Sequence, residues 1–213
     1  MQASNPTTVA DALAQYGAPK GRPSKVQILR PFGVYSRNSY SSVVTLPIGP
    51  AYLAAVLEQA GFHVDIIDAL GEGIQNLRRS ENGRYKFQGL STEEILTRID
   101  PDAAVLGVSL MFSQEWPQHR DLISEIKKAY PHLTIVVGGE HGTAVPEHVL
   151  RTCRAVDYVV RGEGELTFLE LVWSIFNEES SAQIDGLCFL GADGEFVATG
   201  VSKRITDVDN LPR

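Results

Sequence analysis

Cysteine is scarce in this 213-residue sequence: Cys153 and Cys188 are the only two. A Cys-x-x-x-Cys-x-x-Cys motif, or any thiolate cluster, cannot be assembled from such a pair. Both fall inside apolar segments far apart in sequence, which predicts free thiols in a reducing cytoplasm. Long apolar runs are missing too. None approaches the roughly 20 residues that span a bilayer, so no membrane partner is expected. The first 25 residues lack a charged segment followed by an apolar one, so they do not read as a signal peptide. Positive charge is in deficit, with 19 Lys and Arg against 26 Asp and Glu and a net charge of -7. A nucleic-acid binder needs the opposite balance. The Gly-x-Gly at 162–164 lacks the spacing of a dinucleotide fingerprint or a phosphate-binding P-loop, which weakens a nucleotide or sugar-nucleotide reading.

What the sequence does contain is an alternation. Residues 1–25 mix Pro, Gly, Ala and Ser and read as a flexible leader with a short helix over 8–16, capped by Thr7 or Thr8. Apolar runs at 26–30, 63–68, 103–110, 133–137 and 156–160 predict five strands. Helical patterns follow at 51–60, 117–130, 145–152 and 166–176, and another opens at Ser91 with a capping box closed by Glu94. Pro50 and Gly61 suit the start and stop of the first of these. Strands that are apolar throughout, separated by helices, predict a doubly wound five-stranded parallel sheet over 26–180, a Rossmann-like α/β fold. Residues 184–190 and 195–201, around GADG, predict a β-hairpin, and the charged stretch SKRITDVDNLPR reads as a linker; together they form a second unit over 181–213. Two stretches predict no regular structure: the polar, aromatic loop after the first strand, and residues 69–90.

The sheet's C-terminal edge carries the unusual residues. Residues 135–146, IVVGGEHGTAVP, end a buried strand in two glycines, leaving bare backbone where open α/β domains bind large ligands. The neighbouring run ends Ser109-Leu110-Met111, and the last one leads into Gly162-Glu163-Gly164-Glu165 at a helix start. That turn suits hydroxyls and amides better than a bare phosphate, since two carboxylates oppose an anion. Phe32, Tyr35, Tyr40 and Phe112 are loop aromatics at the same edge.

Read in order, LPIGPAYLAA (46–55), Ser109-x-Met111, GGEH (138–141) and VRGEGELTF (160–168) resemble the N-terminal cobalamin-binding domain of cobalamin-dependent radical S-adenosylmethionine enzymes, many of them methyltransferases. The resemblance runs over about residues 25–213, including Leu211-Pro212, which in that family precedes the radical domain. It implies a cofactor, cobalamin, held at the sheet edge with its dimethylbenzimidazole tail threaded between sheet and helix. The contacts it implies are Pro47, Gly49 and Asp68; Ser109, Met111, Phe112 and Ser113; Gly138, Gly139, Glu140, His141 and Thr143; and Gly162, Glu163, Gly164 and Glu165.

The sequence departs from the wider family in two respects, one of them the missing Cys-x-x-x-Cys-x-x-Cys motif. An Asp-x-His-x-x-Gly motif, which supplies a lower axial histidine in mutase-type relatives, is missing after the first strand. The resemblance therefore implies base-off cobalamin without a histidine ligand, its lower face covered by residues 111–116. His141 is the histidine nearest the glycines, open to a corrin hydrogen bond or a structural role, and His119 is an outlying axial candidate. S-adenosylmethionine and a [4Fe-4S] cluster are expected only in a radical domain downstream, which would act with this one on a small-molecule substrate. The alternative is a stand-alone cobalamin carrier, sensor or interaction module without catalysis.

Overall fold

The computed structural model describes residues 8–19, 24–39, 44–202 and 204–212; Thr7 and Tyr40 lie outside them. The strands are β1 (Lys25–Arg30), β2 (Gly33–Ser36), β3 (His63–Asp68), β4 (Leu77–Arg79), β5 (Tyr85–Gln88), β6 (Val105–Ser109), β7 (Thr134–Gly138), β8 (Tyr158–Val160), β9 (Leu187–Leu190) and β10 (Phe196–Ala198). The helices are α1 (Val9–Gln15), α2 (Ile48–Gln59), α3 (Ala69–Glu72), α4 (Thr92–Arg98), α5 (Trp116–Ala129), α6 (Glu140–Ala144), α7 (Pro146–Thr152) and α8 (Glu165–Phe176).

The five expected strands form the parallel part of a sheet ordered β10-β9-β8-β7-β6-β1-β3. Side chains alternate across it. Val26, Ile28, Val105 and Val136 join α2 and α8 in one core, whereas Leu29, Leu106, Ile135 and Val137 join α4, α5 and α7 in the other. A strand buried on both faces has no polar side to show, which is why these runs are apolar throughout. From β1 the chain goes outward to β3 and then returns to β6 on the other side. The strand order therefore reverses between the parallel β1 and β6, and the crevice at such a point is where α/β folds bind ligands.

Four features differ from expectation. Residues 69–90 are structured: Asp68 caps α3 by accepting from the Gly71 N–H at 3.0 Å, and β4 and β5 pair antiparallel. The loop after β1 supplies β2, which completes a three-stranded sheet ordered β2-β5-β4. Arg78 sits over the rings of Phe32 and Phe87 at 5.6 and 5.9 Å, tying this sheet to the base of the β1 loop. The hairpin is continuous with the main sheet, because β9 pairs antiparallel with β8 through Val159↔Cys188. Within the expected flexible leader, α1 packs on α8: Val9, Ala12 and Tyr16 are buried and the Tyr16 hydroxyl donates to Glu170 at 2.8 Å. The capping box at Ser91 and Glu94 forms as expected.

Leu106 lies at the centre of the sheet with no exposure. Leu106→Ala should cost roughly 2–5 kcal/mol of stability, read as a lower urea midpoint at unchanged m-value.

Candidate functional site

A cavity of about 770 Å³ opens at the C-terminal ends of β1, β6, β7 and β8. It has an apolar slot and an apolar rim. The slot descends between the sheet and the α2/α8 layer, walled by Ile28, Leu53, Gly107, Val136 and Phe168. A β-carbon on Gly107 would stand 2.9 Å from the Phe168 ring, so glycine keeps the slot's floor flat. The rim carries Leu46, Ile48, Met111 and Phe112, which are 80, 60, 52 and 58% exposed. Four large apolar side chains around one opening mark a surface meant to be covered.

The paired glycines play different parts. Gly139 has φ +93, and a β-carbon there would lie 2.5 Å from the Leu110 carbonyl oxygen, so the fold itself demands glycine. Gly138 meets nothing nearer than the Val160 oxygen at 4.0 Å. Here the protein has room for a side chain, and the missing one leaves the strand end open to the cavity.

Of the residues expected at the site, Pro47, Gly49, Ser109, Met111, Phe112, Gly138, Gly139, Gly162, Glu163, Gly164 and Glu165 line the cavity. Five do not. Asp68 is turned to α3 and to Arg30, whose Nη1 lies 3.5 Å away. Glu140 is exposed on the first turn of α6. Thr143 accepts the Gly162 N–H at 2.9 Å, bracing the turn from behind. Ser113 pairs with His141 at 2.9 Å, and the buried His141 ring lies against Trp116 with centroids 5.2 Å apart. Burial lowers the pKa of His141, keeping it neutral.

Glu163 lines the cavity but is largely spoken for. Its Oε2 accepts the Ile205 N–H at 2.6 Å, and its main-chain oxygen accepts from the Ser202 hydroxyl at 2.9 Å. Glu165, at the start of α8, has a buried Oε2 with no partner among the described residues. A buried carboxylate oxygen without a donor calls for one from a ligand.

The model of the B12 binding domain family matches residues 40–172, which contain α2, the parallel strands after β1 and the whole glycine edge. The chain belongs to the B12-binding domain family. Among curated proteins it is similar to cytidylyl-2-hydroxyethylphosphonate methyltransferase of Streptomyces wedmorensis, at 30% identity over 87% of the chain and 35% of the relative. It is also similar to the anaerobic magnesium-protoporphyrin IX monomethyl ester cyclase of Rubrivivax gelatinosus, at 29% identity over 78% of the chain and 28% of the relative. The chain thus spans about a third of the length of these relatives. Among solved structures, the radical S-adenosylmethionine methyltransferase TsrM from Kitasatospora setae, with cobalamin and a [4Fe-4S] cluster bound, superimposes with a TM-score of 0.61. It is 21% identical, over 85% of this chain and 29% of that one. The cobalamin-dependent S-adenosylmethionine radical enzyme OxsB, with aqua-cobalamin bound, gives 0.61 at 16% identity, over 84% and 22%. At these identities the two structures establish the shared fold.

For a B12-binding domain the residues present fit the cofactor. The slot beside Gly107, the open end of Gly138 and the undonated Glu165 oxygen offer depth, close backbone approach and a hydrogen-bond acceptor. His119, the outlying axial candidate, is committed elsewhere: its Nε2 donates to the Phe32 carbonyl at 2.8 Å in a buried position. Gly107 was missed in the sequence, although a glycine inside an apolar strand is itself a sign of close approach. Arg30, Tyr35 and Glu115 also border the cavity. Of these, Arg30 and Glu115 carried no signal beyond a charge beside an apolar segment.

Two outcomes follow from this geometry. Gly139→Ala should destabilise the domain by about 1–3 kcal/mol in urea unfolding, whereas Gly138→Ala should change stability little. Burial pushes the pKa of His119 down to about 4, only partly offset by its bond to Phe32. The depressed value means that the unfolded chain takes up this proton first. Stability is therefore full above about pH 6.5 and falls by roughly 3 kcal/mol as the pH drops towards 4. In His119→Gln, which keeps a donor for Phe32, the acid limb of a stability–pH curve should flatten.

Proposed function

We propose that this chain holds cobalamin in its base-off form, as the cobalamin-binding part of a radical S-adenosylmethionine methyltransferase. The observation that carries the reading is the cavity's shape: an opening at the reversal of the strand order, joined to an apolar slot between the sheet and α8. A flat macrocycle suits the exposed rim of Leu46, Ile48, Met111 and Phe112, and a displaced aromatic tail suits the slot. Once bound, cobalamin supplies a cobalt centre that can carry and give up a methyl group.

The chain's own residues then bind and orient. Gly138 and Gly139 let the ligand rest against backbone, with Ser109 beside them at the end of β6. The unpaired Glu165 oxygen accepts a hydroxyl or amide proton from the ligand's tail. Met111 and Phe112, on the loop after β6, would cover the part of the ring they meet and exclude water from it. Neither His119 nor His141 offers a histidine ligand in this reading, since the first donates to Phe32 and the second faces Ser113 and Trp116.

The methyltransferase context rests on the relatives: one is named a methyltransferase, one a radical S-adenosylmethionine methyltransferase with cobalamin bound, and one a cobalamin-dependent S-adenosylmethionine radical enzyme. S-adenosylmethionine, the iron–sulfur cluster and the small-molecule substrate belong in this reading to a radical domain that meets the rim. The two cysteines present cannot hold that cluster. Among the described residues no helix is long and apolar enough to cross a membrane.

The test is retention of hydroxocobalamin through desalting, followed by absorption. Wild type should leave the column with near-stoichiometric corrin, and its cobalt(II) form should show a base-off paramagnetic spectrum without nitrogen hyperfine splitting. Gly138→Leu should weaken binding by at least about tenfold, or roughly 1.4 kcal/mol, with an unchanged unfolding midpoint. A colourless wild-type protein would rule the reading out.

A further inference from the structure

Besides slot and rim, the cavity has a polar wall made by Arg30, Tyr35 and Glu115. Charged groups in such a place are costly unless they are used. Glu115 is only 8% exposed; its Oε1 accepts the Val34 N–H at 2.9 Å, which fixes the carboxyl group at the cavity. Arg30 ends β1 with its side chain 15% exposed. Its Nη1 donates to the Thr45 carbonyl at 2.6 Å and its Nη2 to the Thr45 hydroxyl at 3.3 Å, so the guanidinium is held in one orientation.

The charge balance decides what this wall suits. Asp68 already lies 3.5 Å from Arg30, and Glu115 is close enough to feel the same guanidinium. No surplus of positive charge remains to favour a phosphate or a carboxylate. A fixed donor and a fixed acceptor bordering the same cavity suit a neutral group that carries both functions on separate atoms. A primary carboxamide is such a group, with its oxygen for Arg30 and its N–H for Glu115. Cobalamin carries several of them around the corrin ring.

Building on the cobalamin reading, we propose that Arg30 and Glu115 form a carboxamide subsite, which reads the amidated edge of the corrin ring and rejects a carboxylate in its place. A carboxylate there would lose the N–H offered to Glu115 and set two acceptors against each other in a buried site. The pair thus acts on specificity and takes no part in bond making.

The experiment titrates wild-type protein with hydroxocobalamin and with its three monocarboxylic acids, in which one propionamide has been hydrolysed. One of the three should bind on the order of 10- to 100-fold more weakly than hydroxocobalamin. Glu115→Gln keeps an acceptor for Val34 but removes the charge and adds a donor, and it should narrow that gap to within about threefold. Should Glu115→Gln not fold, Arg30→Lys replaces it: the loss of the fork should weaken hydroxocobalamin more than the discriminated acid. If all three acids bind the wild type as well as hydroxocobalamin does, the subsite is refuted while the cobalamin reading stands. A gap that neither substitution alters refutes it equally. If hydroxocobalamin itself does not bind, both readings fall together.

Discussion

The site depends on one close approach, that of Gly139 to the backbone of Leu110. Beyond the last ladder pair, Ser109 with Gly138, the Leu110 N–H donates to the Gly138 carbonyl at 2.9 Å and the Leu110 carbonyl accepts the His141 N–H at 3.1 Å. This double stitch is possible only if the residue between carries no β-carbon. It ends β6 and β7 at the same height and turns the chain straight into α6. That turn places His141 under the loop after β6, where it holds Ser113 and Trp116. With that side of the loop pinned inward, Met111 and Phe112 are left facing out. The exposed rim is thus a consequence of the glycine, two residues removed from it.

The other walls are held in the same manner, each by a polar tether from a neighbouring strand end or helix. Arg30 of β1 holds the segment before α2 through Thr45, placing Leu46 and Ile48 at the mouth. Thr143 of α6 holds the turn after β8 through the Gly162 N–H. Arg161 donates to the carbonyls of Thr199 and Gly200 at 2.7 and 2.8 Å, and Glu163 receives Ile205, so the segment after β10 is strapped across that same turn. Arg204 stands 4.0 Å from Glu163 at 88% exposure and adds little, as solvated ion pairs generally do. Specific main-chain hydrogen bonds, more than charge pairs, fix the shape of the opening.

This division explains what could be read from the sequence. The parallel sheet was legible because burial on both faces leaves an uninterrupted apolar run, a signal contained within each strand. The small β2-β5-β4 sheet was not, since its strands are three or four residues long and Val34 finds its partner Phe87 only after α2, β3, α3 and β4 have intervened. The joining of the hairpin to β8 was hidden for the same reason: pairing at a sheet edge is a long-range choice. At the site, the glycine edge was legible because a missing β-carbon is a property of one residue. Side-chain direction is not. Asp68, Thr143 and His141 sit at the right strand ends, but cap α3, brace Gly162 and pack on Trp116 instead of facing the cavity. Arg30 and Glu115 were illegible because a lone charge next to an apolar segment is usually a solvated one, and only the fold shows both turned inward.

Holding a ligand and doing chemistry on it make different demands on these side chains. A catalytic acid or base needs a group free to exchange a proton near the reacting atom and tuned towards neutral pH. At this cavity burial pushes the Glu115 carboxyl up, yet one of its oxygens is fixed by Val34. The Glu163 carboxylate receives the strap, and His119, driven far below neutrality, spends its Nε2 proton on Phe32. What these groups share is fixed geometry, which serves recognition better than proton transfer. Among the described residues that line the cavity, Glu165 keeps a buried carboxylate oxygen without a partner at the start of α8, whereas Met111 and Phe112 stand at the exposed rim. In the cobalamin reading the chain's polar groups would grip the ligand at its periphery and leave its centre to apolar contact. With His119 and His141 both engaged by the protein, cobalamin held in the proposed way would be gripped by its edges, and its metal centre would take no histidine from this cavity.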